Sequence, residues 1–371
     1  MDLLEPSASG DDEQYTASVP VFRPPPDRSR YLVLVWQHPL LHVLFTDPEK
    51  VRFGSREPGD DLTRIVSNAL NEWQVAVRES ARTPSARGNA RASLEGRGRN
   101  LVEALIPRSV RQAMSSIPEG QVLKVVELGE PKQVSIPIEL MGWDRGLWAT
   151  QMAVVRPHHL YPDEPRRMRG DRWCHAVGDG TFHGSGAASA QDLRNLPNRV
   201  KRAAPNGSSF RTLQVTIPAP CTVQSLTQEL ARSCLATIHS LFMKDEDQGS
   251  FLRLSAGFAG ILKPVALHGS YEGLDLVVLN ACHSADSTTM AGVIEGFVEN
   301  LLKSGCGSVF ATLSGVESQE IALGLEKLLT AWTQADLELS DALLATKQQA
   351  WTNHELSPML YVLFGNSCLR C

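Results

Sequence analysis

The sequence has no surplus of positive charge: 36 Lys and Arg stand against 41 Asp and Glu, for a formal net charge of −5. A general nucleic-acid or anionic-membrane binder needs a basic excess to neutralise phosphates, so the balance argues against direct contact with either. Long hydrophobic runs are missing too, since none approaches the roughly 18 residues that crossing a bilayer takes. The first residues, MDLLEPSASGDDEQ, are acidic and polar, without the basic and apolar regions of a secretory signal. Paired cysteines are scarce. Seven cysteines (174, 221, 234, 282, 306, 368 and 371) are odd in number and mostly scattered, as expected of reduced thiols in a cytoplasmic protein. Only Cys368 and Cys371 have C-x-x-C spacing, and with no second pair they read as a frayed tail rather than a zinc or redox site. No G-x-S-x-G, G-x-x-x-x-G-K-S or G-x-G-x-x-G follows a strand-like run, which leaves little for a serine hydrolase or nucleotide binder. No repeat with a period of about 20–50 residues is visible, so a solenoid is not expected.

What is present is an ordinary globular composition, 42% apolar and 21% charged over 371 residues, enough for a sizeable core. Residues 1–29 are rich in Pro, Ser and acids and read as a disordered lead or recruitment tail. Strands are expected over Tyr31–Trp36, Leu41–Phe45, Val122–Leu128 and Val134–Met141, and a helix over Asp61–Val77. Ser80–Asn100, with five arginines and no sustained apolar period, reads as a mobile loop. Residues 30–165 then form a smaller amino-terminal lobe, and the charged, Pro-containing Tyr161–Arg172 leads into a second lobe over 166–371.

In that second lobe strands and helices alternate. Apolar strands are expected over Cys174–Val177, Thr212–Ile217, Leu235–Phe242, Leu274–Asn280, Ser308–Leu313 and Met359–Phe364. The helices between them run over Ala190–Leu196 (stopped by Pro197), Thr222–Arg232, Thr289–Lys303, Ser318–Thr333 and Asp336–Trp351. This is the signature of an α/β fold, a mostly parallel sheet covered by helices on both faces.

Reactive groups in such sheets gather at the carboxyl ends of strands. The clearest candidate is Val277–Asp286 (VVLNACHSAD), where a buried strand delivers Cys282 to its carboxyl edge and small polar residues follow. A thiol there can be activated, and nearby amide N–H groups can hold an oxyanion. The competing reading is an ordinary buried cysteine, since free Cys packs as a small hydrophobe. A cysteine nucleophile needs an imidazole within hydrogen-bond reach. His268-Gly269 lies only about six residues before the Cys282 strand, too few for the dozen or more that a parallel crossover takes, so it belongs at the wrong end of the sheet. His183-Gly184 sits in a Gly/Ser/Ala loop and is given no role. His239 ends the strand Ala236–Ile238, and the 43 residues to Cys282 leave room for a crossover. It is either the partner of Cys282 or a satisfied core histidine.

At these residues the sequence resembles the CHAT domains, which belong with caspases and separases among the cysteine peptidases. The likeness is strongest in Leu274–Asp286 (LDLVVLNACHSAD), where the family has a strand ending in Leu-Asn-Ala-Cys-x-Ser. It continues through Phe297–Leu313 and Ser357–Gly365, and upstream through Leu101–Arg156 with its Ile-Pro-x-Glu-Leu stretch, so it spans most of 95–366. The resemblance implies a caspase-like peptidase lobe preceded by a regulatory, pseudo-caspase-like lobe. It makes Cys282 the nucleophile and His239 its partner, with oxyanion and substrate contacts around Ser240, Ala281 and Asp286. No metal or organic cofactor is required. The family usually shows His-Gly, whereas this chain has His239-Ser240, a departure that bears on activity because glycine reaches dihedrals serine adopts only at a cost. The implied activity is limited, regulated cleavage of a protein substrate, in the manner of defence or cell-death pathways, with an activating or recruiting partner protein. Asp245, Glu246, Asp247 and Asp286 would favour Lys or Arg before the cut. The alternative is a weak or inactive caspase-like scaffold that binds a partner.

Overall fold

The computed structural model describes residues 30–371 except positions 38, 49, 59–61, 81–83, 130–135, 144–145, 158–162, 179–189, 246–248, 282–286, 291–292, 314–317 and 335. The expected tail over 1–29 therefore lies outside the described residues.

Eleven strands build one sheet: β1 (Arg30–Gln37), β2 (Leu40–Thr46), β3 (Val51–Arg56), β4 (Val122–Gly129), β5 (Ala153–Arg156), β6 (Arg172–Val177), β7 (Gln214–Thr216), β8 (Leu235–His239), β9 (Leu276–Asn280), β10 (Ser308–Thr312) and β11 (Tyr361–Gly365). Their spatial order is β7-β6-β8-β9-β10-β11-β5-β4-β1-β2-β3. Strands β7, β6, β8, β9 and β10 run parallel to one another. So do β11, β5, β4 and β1, in the opposite direction. The two sets meet at the antiparallel pair β10–β11, and β2 and β3 finish the far edge as a meander. The fold class is as expected, an α/β protein with a mostly parallel sheet.

Every residue of β8, β9 and β10 is buried, the reason their sequences read as unbroken apolar runs rather than alternating ones. One face of this half carries Cys174, Ala176, Ala236, Ile238, Val277 and Leu279 against helices α6 (Val223–Leu230) and α7 (Phe297–Lys303). The other carries Trp173, Leu235, Leu276, Val278 and Phe310 against α5 (Leu196–Ala203), α8 (Ser318–Gln334) and α9 (Leu339–Thr352). In the amino-terminal part, Leu32, Leu34, Val43 and Phe45 pack beneath α1 (Leu62–Ser80), α2 (Pro84–Leu105), α3 (Arg108–Met114) and α4 (Trp148–Gln151).

Several local expectations are overturned. Most of Ser80–Asn100 is the helix α2, not a loop. Its buried positions Ala90, Leu94, Gly98, Leu101, Val102 and Leu105 do follow helical spacing, but a glycine occupies one of them. A Cβ at Gly98 would stand 2.7 Å from the Leu140 carbonyl oxygen, so the helix needs glycine to pack that closely. Ile138–Leu140 is a 3-10 turn rather than a strand, and it points Glu139 at Arg156. Pro197 opens α5 instead of ending a helix, as a residue without an N–H can do in a first turn. Leu235–Phe242 splits after His239, where Leu241–Asp245 leaves for a separate antiparallel sheet with Gly249–Arg253 and Ile261–Leu262. The helix expected from Thr289 is preceded by a hairpin, Ser287–Met290 with Val293–Gly296, and begins at Phe297. The carboxyl terminus is not frayed: Leu369–Arg370 pairs with Arg166–Arg167 and Leu369 is buried.

The close approach at the β10–β11 pair predicts a measurable asymmetry between glycines. Gly365 has φ +87° and a Cβ there would stand 2.4 Å from the Gly307 carbonyl oxygen, whereas Gly207 has φ +83° in open space. Gly365→Ala is expected to cost about 2–4 kcal/mol, strain plus overpacking, and Gly207→Ala about 1 kcal/mol, strain alone. Urea unfolding midpoints of the two variants check this.

Candidate active site

Parallel pairing puts the carboxyl ends of β6, β8 and β9 on one edge of the sheet, with Val177, His239 and Asn280 side by side in register. One row earlier, His175 lies beside Thr237. In parallel strands, residues opposite each other and residues two apart share a face. His175, Thr237, His239 and Asn280 therefore lie on the α5–α8–α9 side of the sheet, and all four are buried.

Their hydrogen bonds form a chain whose polarity can be worked out. The Trp173 indole N–H donates to the Thr237 hydroxyl at 3.0 Å. Nε2 of His175 is 2.8 Å from the Leu193 carbonyl, which can only accept, so Nε2 carries a proton. Burial pushes the His175 pKa down to about 4, partly offset by that same backbone bond, so the ring is neutral at pH 7 and its Nδ1 is an acceptor. The Thr237 hydroxyl, 2.6 Å away, must then donate to it. Every polar atom of this group is satisfied. The His175 ring packs edge-on against His239, with centroids 5.1 Å apart and planes at 70°.

His239 is fully buried, and its imidazole is held well below the usual histidine range, by burial first and then by His175. Its Nδ1 lies 2.7 Å from the carboxamide nitrogen of Asn280. Its Nε2 is buried with no hydrogen-bond partner among the described residues.

The neighbouring predicted residues are placed as follows. Ser240 is buried; its hydroxyl donates to the Arg253 carbonyl at 2.8 Å and its N–H to the Asn280 carbonyl at 3.3 Å. Among the described residues only Asp336 and His354 have positive φ without being glycine, so Ser240 is not strained by replacing one. Ala281 is buried at the end of β9, its carbonyl accepting from the Thr312 hydroxyl at 2.5 Å. Cys282 and Asp286 lie outside the described residues, as do His183, Gly184, Glu246 and Asp247. Asp245 is described only as the end of its strand. His268 is exposed and ends the 3-10 turn Pro264–Leu267; Tyr271, three residues on, donates its N–H to the Ser304 carbonyl just after α7, on the path into the amino end of β9. Among the described residues no group of three His, Cys, Asp or Glu could hold a metal ion.

The sequence reading missed His175 and Asn280. His175 stands in an expected strand, but that β6 would neighbour β8 depends on strand order, which no local pattern encodes. Asn280 was visible in the cysteine motif, and its contact with His239 follows only from register.

The model of the CHAT domain matches residues 97–362, well over half of the sequence. The chain belongs to the CHAT domain family. No curated protein matches it. Among solved structures, this CHAT protein is similar to the Saccharomyces cerevisiae separase–securin complex, with TM-score 0.52 and 10% identity over 93% of this chain and 30% of that one. It is also similar to the complex of Porphyromonas gingivalis RgpB pro- and mature domains, with TM-score 0.49 and 9% identity over 76% of this chain and 77% of that one. At such identities the likeness is one of fold. The CHAT chain spans about a third of the separase chain, and its fold is that of the caspase-like peptidases.

The buried imidazoles give the CHAT domain a pH dependence of known sign. The pKa of His175 falls from 6.5 to about 4 on folding, so between those values the unfolded chain binds the proton that the folded one excludes. Stability therefore rises with pH through that window, and about 3 kcal/mol is lost as pH drops from 7 to 4. His239 acts in the same direction. Urea unfolding at pH 7, 6 and 5 is expected to show this slope, and His175→Gln to flatten it; equal slopes would mean that His175 is charged in the fold.

Proposed function

We propose that this protein is a cysteine endopeptidase that makes limited cuts in a protein substrate, with Cys282 as nucleophile and His239 as its acid–base partner. The observation that carries the reading is the imidazole of His239. It ends a strand beside the one leading through Ala281 to Cys282, is neutral, and leaves Nε2 without a partner among the described residues. A buried polar nitrogen without a partner is costly, and catalytic centres are where such costs are tolerated.

In this mechanism His239 Nε2 takes the Cys282 thiol proton as sulfur attacks the scissile carbonyl, forming the C–S bond. The imidazolium returns the proton to the leaving amine as the C–N bond breaks. Water, deprotonated by the same nitrogen, then cleaves the thioester and restores the thiol. The Cys282 N–H is one proposed oxyanion donor. Ser240 supplies a second only by giving up its 3.3 Å bond to the Asn280 carbonyl. That engaged N–H is the observation favouring the other reading, a weak or inactive scaffold that binds a partner. The acidic residues around 245–247 and Asp286 would prefer Lys or Arg before the cut. A separate activating or recruiting protein belongs to the proposal, as does a cytoplasmic setting; among the described residues no helix is long and apolar enough to cross a membrane.

Digestion of a proteome-derived peptide library tests the proposal. Cuts present with the native protein, and at least about 100-fold reduced in both Cys282→Ala and His239→Ala, are the expected outcome. Cuts that survive His239→Ala but fail in His268→Ala would replace the imidazole. No cuts, alone or with candidate partners, would favour the scaffold.

Because Ser240 has no left-handed backbone to relieve, Ser240→Gly is expected to change the cutting rate by less than about threefold. A tenfold gain would show that serine restrains the site.

A further inference from the structure

We infer that Asn280 is a positioning residue for His239, the third member of a Cys–His–Asn arrangement; this rests on the peptidase reading above. The carboxamide of Asn280 is buried and meets Nδ1 of His239 at 2.7 Å, directly across the β8–β9 ladder. Both residues end fully buried strands. His175 closes the ring from the other neighbouring strand, and it is the titratable group that acts on His239 among the described residues.

The chemistry explains why a carboxamide suits this place. With its nitrogen toward the ring, Asn280 donates to Nδ1 and fixes the ring proton on Nε2. Turned by a half-rotation about its last side-chain bond, its oxygen accepts Nδ1–H instead, and the Nε2 lone pair is free to take a thiol proton. The second orientation also holds the imidazolium that forms in the reaction, because both ring nitrogens are then donors. Asn280 would thus serve the resting ring and the charged one without placing a permanent charge in the site. A carboxylate at the same distance would favour the imidazolium throughout and raise the His239 pKa.

The test needs no substrate. Alkylation of Cys282 by iodoacetamide is followed by peptide mass spectrometry from pH 5 to 9 in the native protein, His239→Gln, Asn280→Asp and Asn280→Ser. The other cysteines form a slow background: burial raises Cys306 to about 12, Cys371 to about 12 and Cys368 to about 11. Asn280→Asp, nearly isosteric, is expected to shift the Cys282 profile toward acid by one pH unit or more, through an imidazolium that favours the thiolate. Asn280→Ser, which leaves Nδ1 without this partner and lowers the unfolding temperature, is expected to slow alkylation several-fold at pH 7 at a temperature well below its unfolding midpoint. Profiles unaltered by both Asn280 variants, while His239→Gln does alter them, would overturn the inference and leave the dyad standing. A profile indifferent to His239→Gln would instead overturn the peptidase pairing itself.

Discussion

The sheet depends on its last strand. β11 is added antiparallel to β10 and parallel to β5, and it alone joins the strand set running one way to the set running the other. The join is made by backbone at close range: Gly307 and Gly365 approach so nearly that a Cβ on the second would overlap the carbonyl of the first. Ser308 ties it further, its hydroxyl donating to the Asn366 carbonyl at 2.8 Å. The arrangement on the candidate-site side follows from that geometry. With β10 held at its outer edge, β9, β8 and β6 stack parallel behind it, and their carboxyl ends are delivered to a single edge.

The two sides of this join handle buried polarity in different ways. On the β5 side, Arg156 pairs with Glu127 at 2.5 Å and Glu139 at 2.9 Å, donates to the Ile136 carbonyl, and lies over the Phe364 ring. Lys347 is buried nearby, its pKa lowered to about 8 by burial and partly restored by Glu139. Such a network is specific rather than strongly stabilising, because desolvating the charges roughly offsets their attraction, while removing one partner costs about 3–5 kcal/mol. On the β8 side Trp173, Thr237 and His175 are instead neutral and satisfy one another by donor and acceptor in turn. Fixed charge anchors the half remote from the site, whereas the Trp173–Thr237–His175 group beside His239 carries none.

The alternation of strands and helices was legible from Val277–Leu279 and Val309–Ala311, because strands buried on both faces leave no polar interruption. The helix α2 was not legible, because Gly98 interrupts an apolar stripe at the one position where backbone must approach Leu140. Nor was the hairpin of Ser287–Met290 with Val293–Gly296, most of which lies in the segment read as one helix. His239 was singled out by its separation from Cys282 along the chain, a constraint that chain length imposes. His175 was not, since only strand order brings β6 against β8 and that order is decided by packing across the whole sheet. Local residues set the elements, and long-range pairing set the neighbours of the imidazole.

Burial of His239 has a consequence for its chemistry. Desolvation disfavours the charged ring, so a neutral base is available near pH 7, the form that can accept a thiol proton. The same desolvation opposes the imidazolium that accepting it creates. His175 does not relieve that opposition, because its own ring is neutral, fully hydrogen-bonded and would repel a second positive charge if protonated. Relief has to come from a dipole that can reorient within the buried space. Among the described side chains around the ring, Asn280 is the one that meets Nδ1 at hydrogen-bond distance with a group carrying both a donor and an acceptor. In the proposed peptidase, a site built this way would be slow to charge until the nucleophile, the substrate and the carboxamide are aligned together.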